Sequence, residues 1–407
     1  MDLTSDQSIV EFRREVRQFI ADNLPVEVSQ RGLRAYHEEK ADVILWMQIL
    51  EKQGWSAINW PVEYGGTGWG TAKQLVFEEE CMRAGAPQKP IVGLSLVAPV
   101  IYTYGSSEQK QMHLPKIKNA ESWWGQCFSE PNAGSDLASL KTSAEFDGSN
   151  YILNGHKIWT TLGQFADWLF LLAVTDKTVK PQTGISFFLV KADSPGITMR
   201  PIYSIEKGHT LNEFFFEDVV VPASGLVGEL GKGWSYAKFL LENERSWSAE
   251  IPRNKALLKR LIEVASQSID DQPPLLDSYS FKEKICDLSA RLNALEYMTL
   301  RAMSEHEASA GESISAWEAG SILHVKGSEM QQEIGALTLE ALGSYGAVYF
   351  PKYTTKPEGG YPQGPELAHG VAADYLYRRA TTIYGGSNEI HRHPTGTELE
   401  RNRTKVI

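Results

Sequence analysis

Residues 240–247 read LLENERSW within a segment of helical periodicity, and they place a carboxylate among apolar positions. Taking Tyr236, Leu240, Glu244, Trp247 and Ile251 as one stripe gives steps of four, four, three and four, so Glu244 falls on the face that normally meets a core. Glu242 points elsewhere, and Arg245 follows the acid directly. An arbitrary helix glutamate pairs with a neighbour such as Lys238 or Arg245 at the surface. A glutamate on a buried stripe is different: desolvation disfavours its charged form and raises its pKa, which suits a general base.

Two further stretches carry polar groups suited to ligand binding. GQCFSEPNAGSDLASLKT, 125–142, runs from a strand into a turn rich in hydroxyls and backbone donors. Ser129, Ser135 and the amides of 132–134 suit a planar heterocycle or an anionic group, although such turns often only cap themselves. KIWTTLG, 157–163, offers Trp159 as a flat wall and Thr160 or Thr161 as hydrogen-bonding hydroxyls.

Other motifs point away from common chemistries. GGTGWG at 65–70 lacks GxGxxG spacing and has neither a strand before it nor a βαβ unit around it, so it reads as a turn between helices. GLSLV at 93–97 does not match a nucleophile elbow, His391 and His393 lack a third metal ligand, and no metal is expected. Isolated histidines such as His113 and His209 read as groups at the surface or just behind a site.

The elements that must position these residues fall into three blocks. Residues 1–121 read as a helical domain, with Thr4 and Gln7 at capping-box spacing before Phe12, Val16, Phe19 and Ile20, and with Pro25 closing the segment. From 122 to 232 the pattern changes to short β-rich runs, WWGQCF, YILNGHKIW, DWLFLLAVT, GISFFLVK, ITMRPIY and EFFFEDVVV, predicting a small barrel or sandwich with a hairpin at Asn154-Gly155. Helical periodicity resumes at 233 and runs through 265, then over 280–308, 312–342 and 366–382. Residues 233–407 form the third domain, interrupted by the Pro- and Gly-rich connection at 345–365. The fold class is therefore α+β and multidomain: helices, a β-barrel or sandwich, and a C-terminal helical bundle.

At 407 residues, two or three domains are expected from a prior of about 150 residues each. A 42% hydrophobic, 22% charged composition with 11 Trp, 16 Tyr and 15 Phe fits a globular chain. A net charge of −11 argues against a nucleic-acid partner. Cys81, Cys127 and Cys286 have no disulfide or zinc spacing, which fits a reducing, cytoplasmic compartment. The start lacks the pattern of a secretory signal, and IVGLSLVAPVIYTY at 91–104 is too short to span a bilayer, so it reads as a core helix and no membrane span is expected.

SEPNAGSD, KIWTT, GISFFLV, EFFFEDVVVP, LLENER and YGGSNEIHR occur in the order and rough spacing of the acyl-CoA dehydrogenases, which the chain resembles over nearly its whole length. NWPVEYGGTGW and TTLGQFADW most resemble the large subunits of pimeloyl-CoA dehydrogenases and their relatives. The resemblance implies the family's fold, ending in a four-helix bundle, and FAD as cofactor. It implies β-oxidation-type dehydrogenation of an acyl-CoA to a trans-2-enoyl-CoA, with electrons passed to an electron-transfer flavoprotein. By the same resemblance, Gln126, Phe128 and Ser129 meet the flavin, Trp159 and Thr161 cover it near N5, and Ser387 and Glu389 touch the adenosine half. Ser135 contacts the CoA portion, with Arg245, Tyr384 and Gly385 also at the substrate. Many members carry the base directly after the tyrosine, where this chain has Gly385; long-chain and branched-chain members place it before an arginine on the helix after the β domain, which is Glu244.

Two positions depart from the family. SYSFKEK offers only Lys282 or Lys284 where an arginine commonly reaches the FAD pyrophosphate, and Glu340 replaces a common glutamine. A homotetramer or a heterotetramer with a second acyl-CoA dehydrogenase subunit is the expected assembly. The rival readings are a non-catalytic CoA-binding subunit and a flavin monooxygenase of the same fold.

Overall fold

The computed structural model describes residues 7–34, 39–245, 249–308, 314–348 and 364–393; side chains at 34, 242–245, 305–308 and 314–318 are outside that description. The helices are α1 Gln7–Asn23, α2 Val26–Arg34, α3 Lys40–Gln53, α4 Thr71–Arg83, α5 Ala98–Tyr104 and α6 Ser107–Lys118, then, past the sheet, α7 Gly233–Arg245, α8 Ile251–Ala265, α9 Tyr279–Ala308, α10 Ile314–Leu342 and α11 Val371–Tyr377. Between α6 and α7 lie β1 Trp124–Cys127, β2 Ser143–Phe146, β3 Asn150–Thr161, β4 Trp168–Val174, β5 Ile185–Lys191, β6 Ile197–Tyr203 and β7 His209–Pro222. The order of helices, strands and helices is the predicted one.

The chain forms two compact units. One comprises Met1–Trp46, Trp69–Gln88 and Arg245–Ile407; the other comprises Met47–Gly68 and Lys89–Glu244. In the first, Leu258 and Leu261 of α8, Leu288 and Leu292 of α9 and Ile334 of α10 share one core. At its α1–α4 contact the Glu80 carboxylate, wholly buried, meets Arg13, Arg17 and Arg83 at 2.5, 2.8 and 2.7 Å. Burial would raise that carboxyl, but the three arginines outweigh it and hold it below its ordinary range.

In the second unit the strands form one curled sheet in the order β1-β4-β2-β3-β7-β6, with β5 also paired to β4. Its core is built from Leu153, Leu169, Leu171, Phe188, Phe214, Phe216 and Val221. Along β7, buried and more exposed positions alternate over most of the strand, as the pleat requires. The expected core helix at 91–104 is there, as a wide turn at Val92–Val97 running into α5 with Val97, Val100 and Ile101 fully buried.

Two expectations are corrected. Asn154-Gly155 is not a hairpin turn: β3 runs straight through it, and the register with β7 shifts there. A Cβ on Gly155 would lie 2.2 Å from Thr142 Oγ1, so glycine admits a neighbouring chain, while Asn154 exchanges hydrogen bonds with Asp218 at 3.0 and 2.9 Å. The real β2–β3 turn is Asp147–Ser149, where Asp147 Oδ1 accepts from the amides of Ser149 and Asn150 and Gly148 has φ 105°.

The helix read through 265 is two helices. α7 ends at Arg245 and α8 begins at Ile251 with Pro252 in its first turn, after Glu250 in a left-handed conformation at φ 44°. Trp247 lies outside the described residues, and Ile251, though buried, belongs to α8. Tyr236 and Leu240 are buried as the stripe predicts. Of the two places read for His113, the surface is excluded: it is buried edge-on between Trp124 and Trp168, 5.0 and 4.7 Å from their ring centres. His209 is half-buried and bonded to Asn212. Thr4 and most of the 345–365 connection lie outside the described residues, whose helices include none long and apolar enough to cross a membrane.

Candidate active site

Sequence places Gln126, Phe128 and Ser129 at the end of β1, and Trp159 and Thr161 near the end of β3, about thirty residues away. The sheet brings them together. Ile158 donates its amide to the Ser129 carbonyl at 2.9 Å, and Cys127 Sγ lies 3.4 Å from the Thr160 hydroxyl. Burial pushes the Cys127 thiol up to about 12, so it serves packing rather than nucleophilic chemistry.

Trp159 owes its display to strained backbone. The β3–β7 register shifts a second time between Lys157 and Thr160, and Trp159 sits in the left-handed region at φ 67°, as does Leu162 at φ 52°. A bulky residue rarely adopts that conformation unless the surroundings fix it. Here Trp159 is left 54% exposed and Thr161 is exposed beside it in sequence, while Thr160 between them is buried. An aromatic plane held outward at a conformational cost, with the exposed Thr161 beside it, fits a flat heterocycle.

Two residues that motif reading passed over support this arrangement. Lys157 is fully buried, its ammonium 2.8 Å from Glu130 Oε1 and 3.2 Å from the Phe128 carbonyl. Glu130 also accepts the amides of Lys141 at 2.7 Å and Thr142 at 2.9 Å. Burial pulls Lys157 below its ordinary value against the attraction of Glu130, whereas Lys157 and the amide donors hold Glu130 low despite its burial. The signal was in the text, since Glu130 is the acid of SEPNAGSD and Lys157 opens KIWTT, but a lysine in a strand reads as exposed. Ser135, five residues beyond Glu130, is exposed.

In the same compact unit α7 is anchored by Tyr236, which stacks on Tyr104 at 4.3 Å and accepts the Glu229 amide at 3.0 Å, and by Leu240, fully buried. Glu244 is one helical turn beyond Leu240. The side chains of Glu244 and Arg245 are outside the described residues.

Tyr384, Gly385, Ser387 and Glu389 share one turn in the other unit. Gly385 and Gly386 have φ 68° and 98°, conformations that favour glycine. Buried His391 closes the turn: its Nε2 is 3.1 Å from the Gly385 carbonyl, and its amide donates to the Ser387 carbonyl at 3.0 Å. Tyr384 and Glu389 are exposed, Glu389 lying 3.6 Å from Arg392. Behind the turn Arg378 is buried and bonded to Asp374 and Gln331, and Gln331 continues to Glu250 at 2.8 Å. The two departures noted in the sequence meet: Lys284 Nζ lies 2.8 and 3.0 Å from the Glu340 carboxylate oxygens, with both side chains about half exposed.

Comparison with known proteins defines the class. The acyl-CoA dehydrogenase N-terminal, middle and C-terminal domain families match residues 6–121, 125–219 and 231–398. Acyl-CoA dehydrogenase IpdE1 of Mycobacterium tuberculosis is 34% identical over 399 residues, covering 95% of this chain and 96% of that protein. Among solved structures, the Tcur3481-Tcur3483 steroid ACAD superposes with a TM-score of 0.83 at 27% identity, covering 98% of both chains. The ChsE4-ChsE5 complex from Mycobacterium tuberculosis superposes with a TM-score of 0.79 at 29% identity, covering 97% of this chain and 98% of that one.

The chain belongs to the acyl-CoA dehydrogenase family. It is accordingly an FAD-dependent oxidoreductase acting on acyl-CoA.

Proposed function

We propose that this chain converts an acyl-CoA thioester to the trans-2-enoyl-CoA, with Glu244 removing the proton next to the thioester carbonyl. What carries the reading is α7: Tyr236 and Leu240 are buried on successive turns, Glu244 follows on the next, and Trp159 is held outward in the same compact unit. Gln126, Phe128, Ser129, Trp159 and Thr161 would hold the flavin ring, and Ser387 and Glu389 the adenosine half. Bound there, FAD supplies the hydride acceptor. Ser135 would bind the CoA portion, with Arg245, Tyr384 and Gly385 at the acyl thioester. Closing such a site excludes water and strengthens the hydrogen bonds that polarise the thioester carbonyl.

The electron acceptor in this reading is an electron-transfer flavoprotein, the compartment is the cytoplasm, and the domains divide at 121/122 and 232/233. The Lys284–Glu340 pair supports an assembly with a second acyl-CoA dehydrogenase subunit, because it leaves the lysine's charge already matched and a pyrophosphate better served from another chain. The likeness to the ChsE4-ChsE5 complex points the same way. A colourless protein, both alone and co-purified with such a subunit, would instead support a CoA-binding scaffold.

The decisive measurement is the flavin spectrum with and without acyl-CoA. The parent should bleach on addition of substrate. Glu244→Gln should keep its flavin and lose turnover by about a thousandfold, as expected for removal of a general base. Activity within a few fold of the parent removes Glu244 from the mechanism.

A further inference from the structure

Lys157 and Glu130 join three segments that the proposed site uses separately. Through the Phe128 carbonyl the ammonium fixes the segment 126–129; its own strand displays Trp159 two residues later. The Glu130 carboxylate collects the amides of Lys141 and Thr142 and so closes the loop that carries Ser135. That loop is also pinned at its root, where Glu130 and Ala133 exchange backbone hydrogen bonds at 3.0 Å each. Ile158 completes the circuit by donating to Ser129.

A buried ion pair is weak evidence of stabilisation, since desolvation consumes most of the Coulomb gain and apolar residues of similar volume often serve as well. What apolar residues cannot do is hold a carbonyl and two amides from different segments in fixed directions. Side chains that orient the groups meeting a ligand determine how far those groups are preorganised.

We propose that Lys157 and Glu130 are positioning residues that set the flavin-edge segment, the strand displaying Trp159 and the Ser135 loop as one preformed unit, so that one buried pair governs binding of both FAD and the CoA moiety. The proposal rests on the placement of the flavin against 126–129 and 159–161 given above.

The test uses the purified assembly, stripped of FAD and titrated with FAD and, separately, with CoA. Lys157→Met with Glu130→Gln removes both charges while keeping chain length and an acceptor for the loop amides. This variant is expected to retain the near-ultraviolet dichroism and the FAD-free melting temperature of the parent within a few degrees. It should bind FAD and CoA at least tenfold more weakly and lose the fine structure of the flavin absorption band. A folded variant that binds both within twofold of the parent, with an unchanged spectrum, overturns the proposal and leaves the pair a merely structural role.

If the variant does not fold, hydrogen exchange in the parent decides. The amides of Lys141, Thr142 and Ile158 should be as protected in the stripped protein as in the loaded one; free exchange in the stripped protein shows that the unit is not preformed. Trp159→Ala separates this inference from the reading beneath it. If that change leaves flavin affinity and spectrum untouched, the flavin lies elsewhere; if it alters them while the Lys157/Glu130 variant does not, only the positioning pair is lost.

Discussion

Asn212, fully buried on β7, donates its side-chain amide to the Thr160 carbonyl at 3.1 Å, immediately beyond the bulge that turns Trp159 outward. The same amide reaches Gln164 Oε1 at 2.7 Å, and Asn212 Oδ1 is 2.8 Å from His209 Nε2. One side chain thus ties Thr160, inside the kinked segment between the left-handed residues Trp159 and Leu162, to Gln164 just beyond it. Replacing it by leucine keeps the volume and leaves the buried Thr160 carbonyl and the partly buried Gln164 and His209 side chains without that partner.

Asn212→Leu is therefore expected to destabilise the fold by about 1–3 kcal/mol, the usual cost of stranding buried hydrogen-bonding groups. Denaturant midpoints measure this. An accompanying change in the flavin absorption band is expected because Thr161 and Trp159 lose their common anchor; a midpoint equal to the parent's would show that the backbone holds the bulge unaided.

His113 supplies a pH dependence whose sign is fixed by burial. Between Trp124 and Trp168 its imidazole is pulled down from 6.5 to about 4, chiefly by desolvation, with Lys116 adding a like charge. A depressed folded-state value means that the neutral ring's stabilisation is complete above pH 6.5 and is lost as pH falls towards 4. The shift corresponds to about 3 kcal/mol. His113→Leu should flatten that part of the profile, measured as chemical stability at intervals between the two values; an identical slope in parent and variant assigns the acid sensitivity to other groups.

The Lys284–Glu340 pair makes a prediction of opposite direction, a substitution that improves binding. With both side chains about half exposed, the pair is worth little to the fold, and Glu340→Gln should leave stability within about 0.5 kcal/mol of the parent. If the FAD pyrophosphate lies near Lys284, releasing the lysine from its carboxylate should tighten FAD binding by about two- to fivefold. The gain should shrink as salt is added, because exposed charges are screened. Flavin titration at two ionic strengths checks this, and unchanged affinity at both places the pyrophosphate away from α9 and α10.

Much of this arrangement was legible from residue order. The aromatic and β-branched runs EFFFEDVVV and DWLFLLAVT marked strands because such side chains fit a pleated surface. The exposed Trp159 and the buried Tyr236 and Leu240 also stand where spacing put them. What was hidden depended on partners distant in sequence. β2, SAEF, is too short and polar to announce itself, and the hairpin signal falls instead on Asn154-Gly155, residues that serve a bulge. The break after Arg245 had one signal, Pro252 in the first turn of α8, which periodicity overrode. Lys157 and Glu130 were hidden for a physical reason: a buried charge is tolerable only beside its counter-charge, and sequence does not show that the two meet.

Gly155 tests whether that hidden contact limits what the sequence can become. An added Cβ would stand 2.2 Å from Thr142 Oγ1, 2.6 Å from its Cβ and 2.7 Å from its Cγ2, distances no pair of side chains sustains. Thr142 cannot retreat freely, because its amide is bonded to Glu130. Gly155→Ala should therefore cost about 1–3 kcal/mol, the range for overpacking a filled site. Thr142→Gly removes all three obstructing atoms, so the double substitution should lose less than the sum of the two single ones, with a coupling of about 1 kcal/mol or more. Denaturation of all four proteins closes the cycle. Strict additivity would mean that β3 yields at Gly155 instead of pressing on Thr142, and that the loop bearing Ser135 is not braced through this contact.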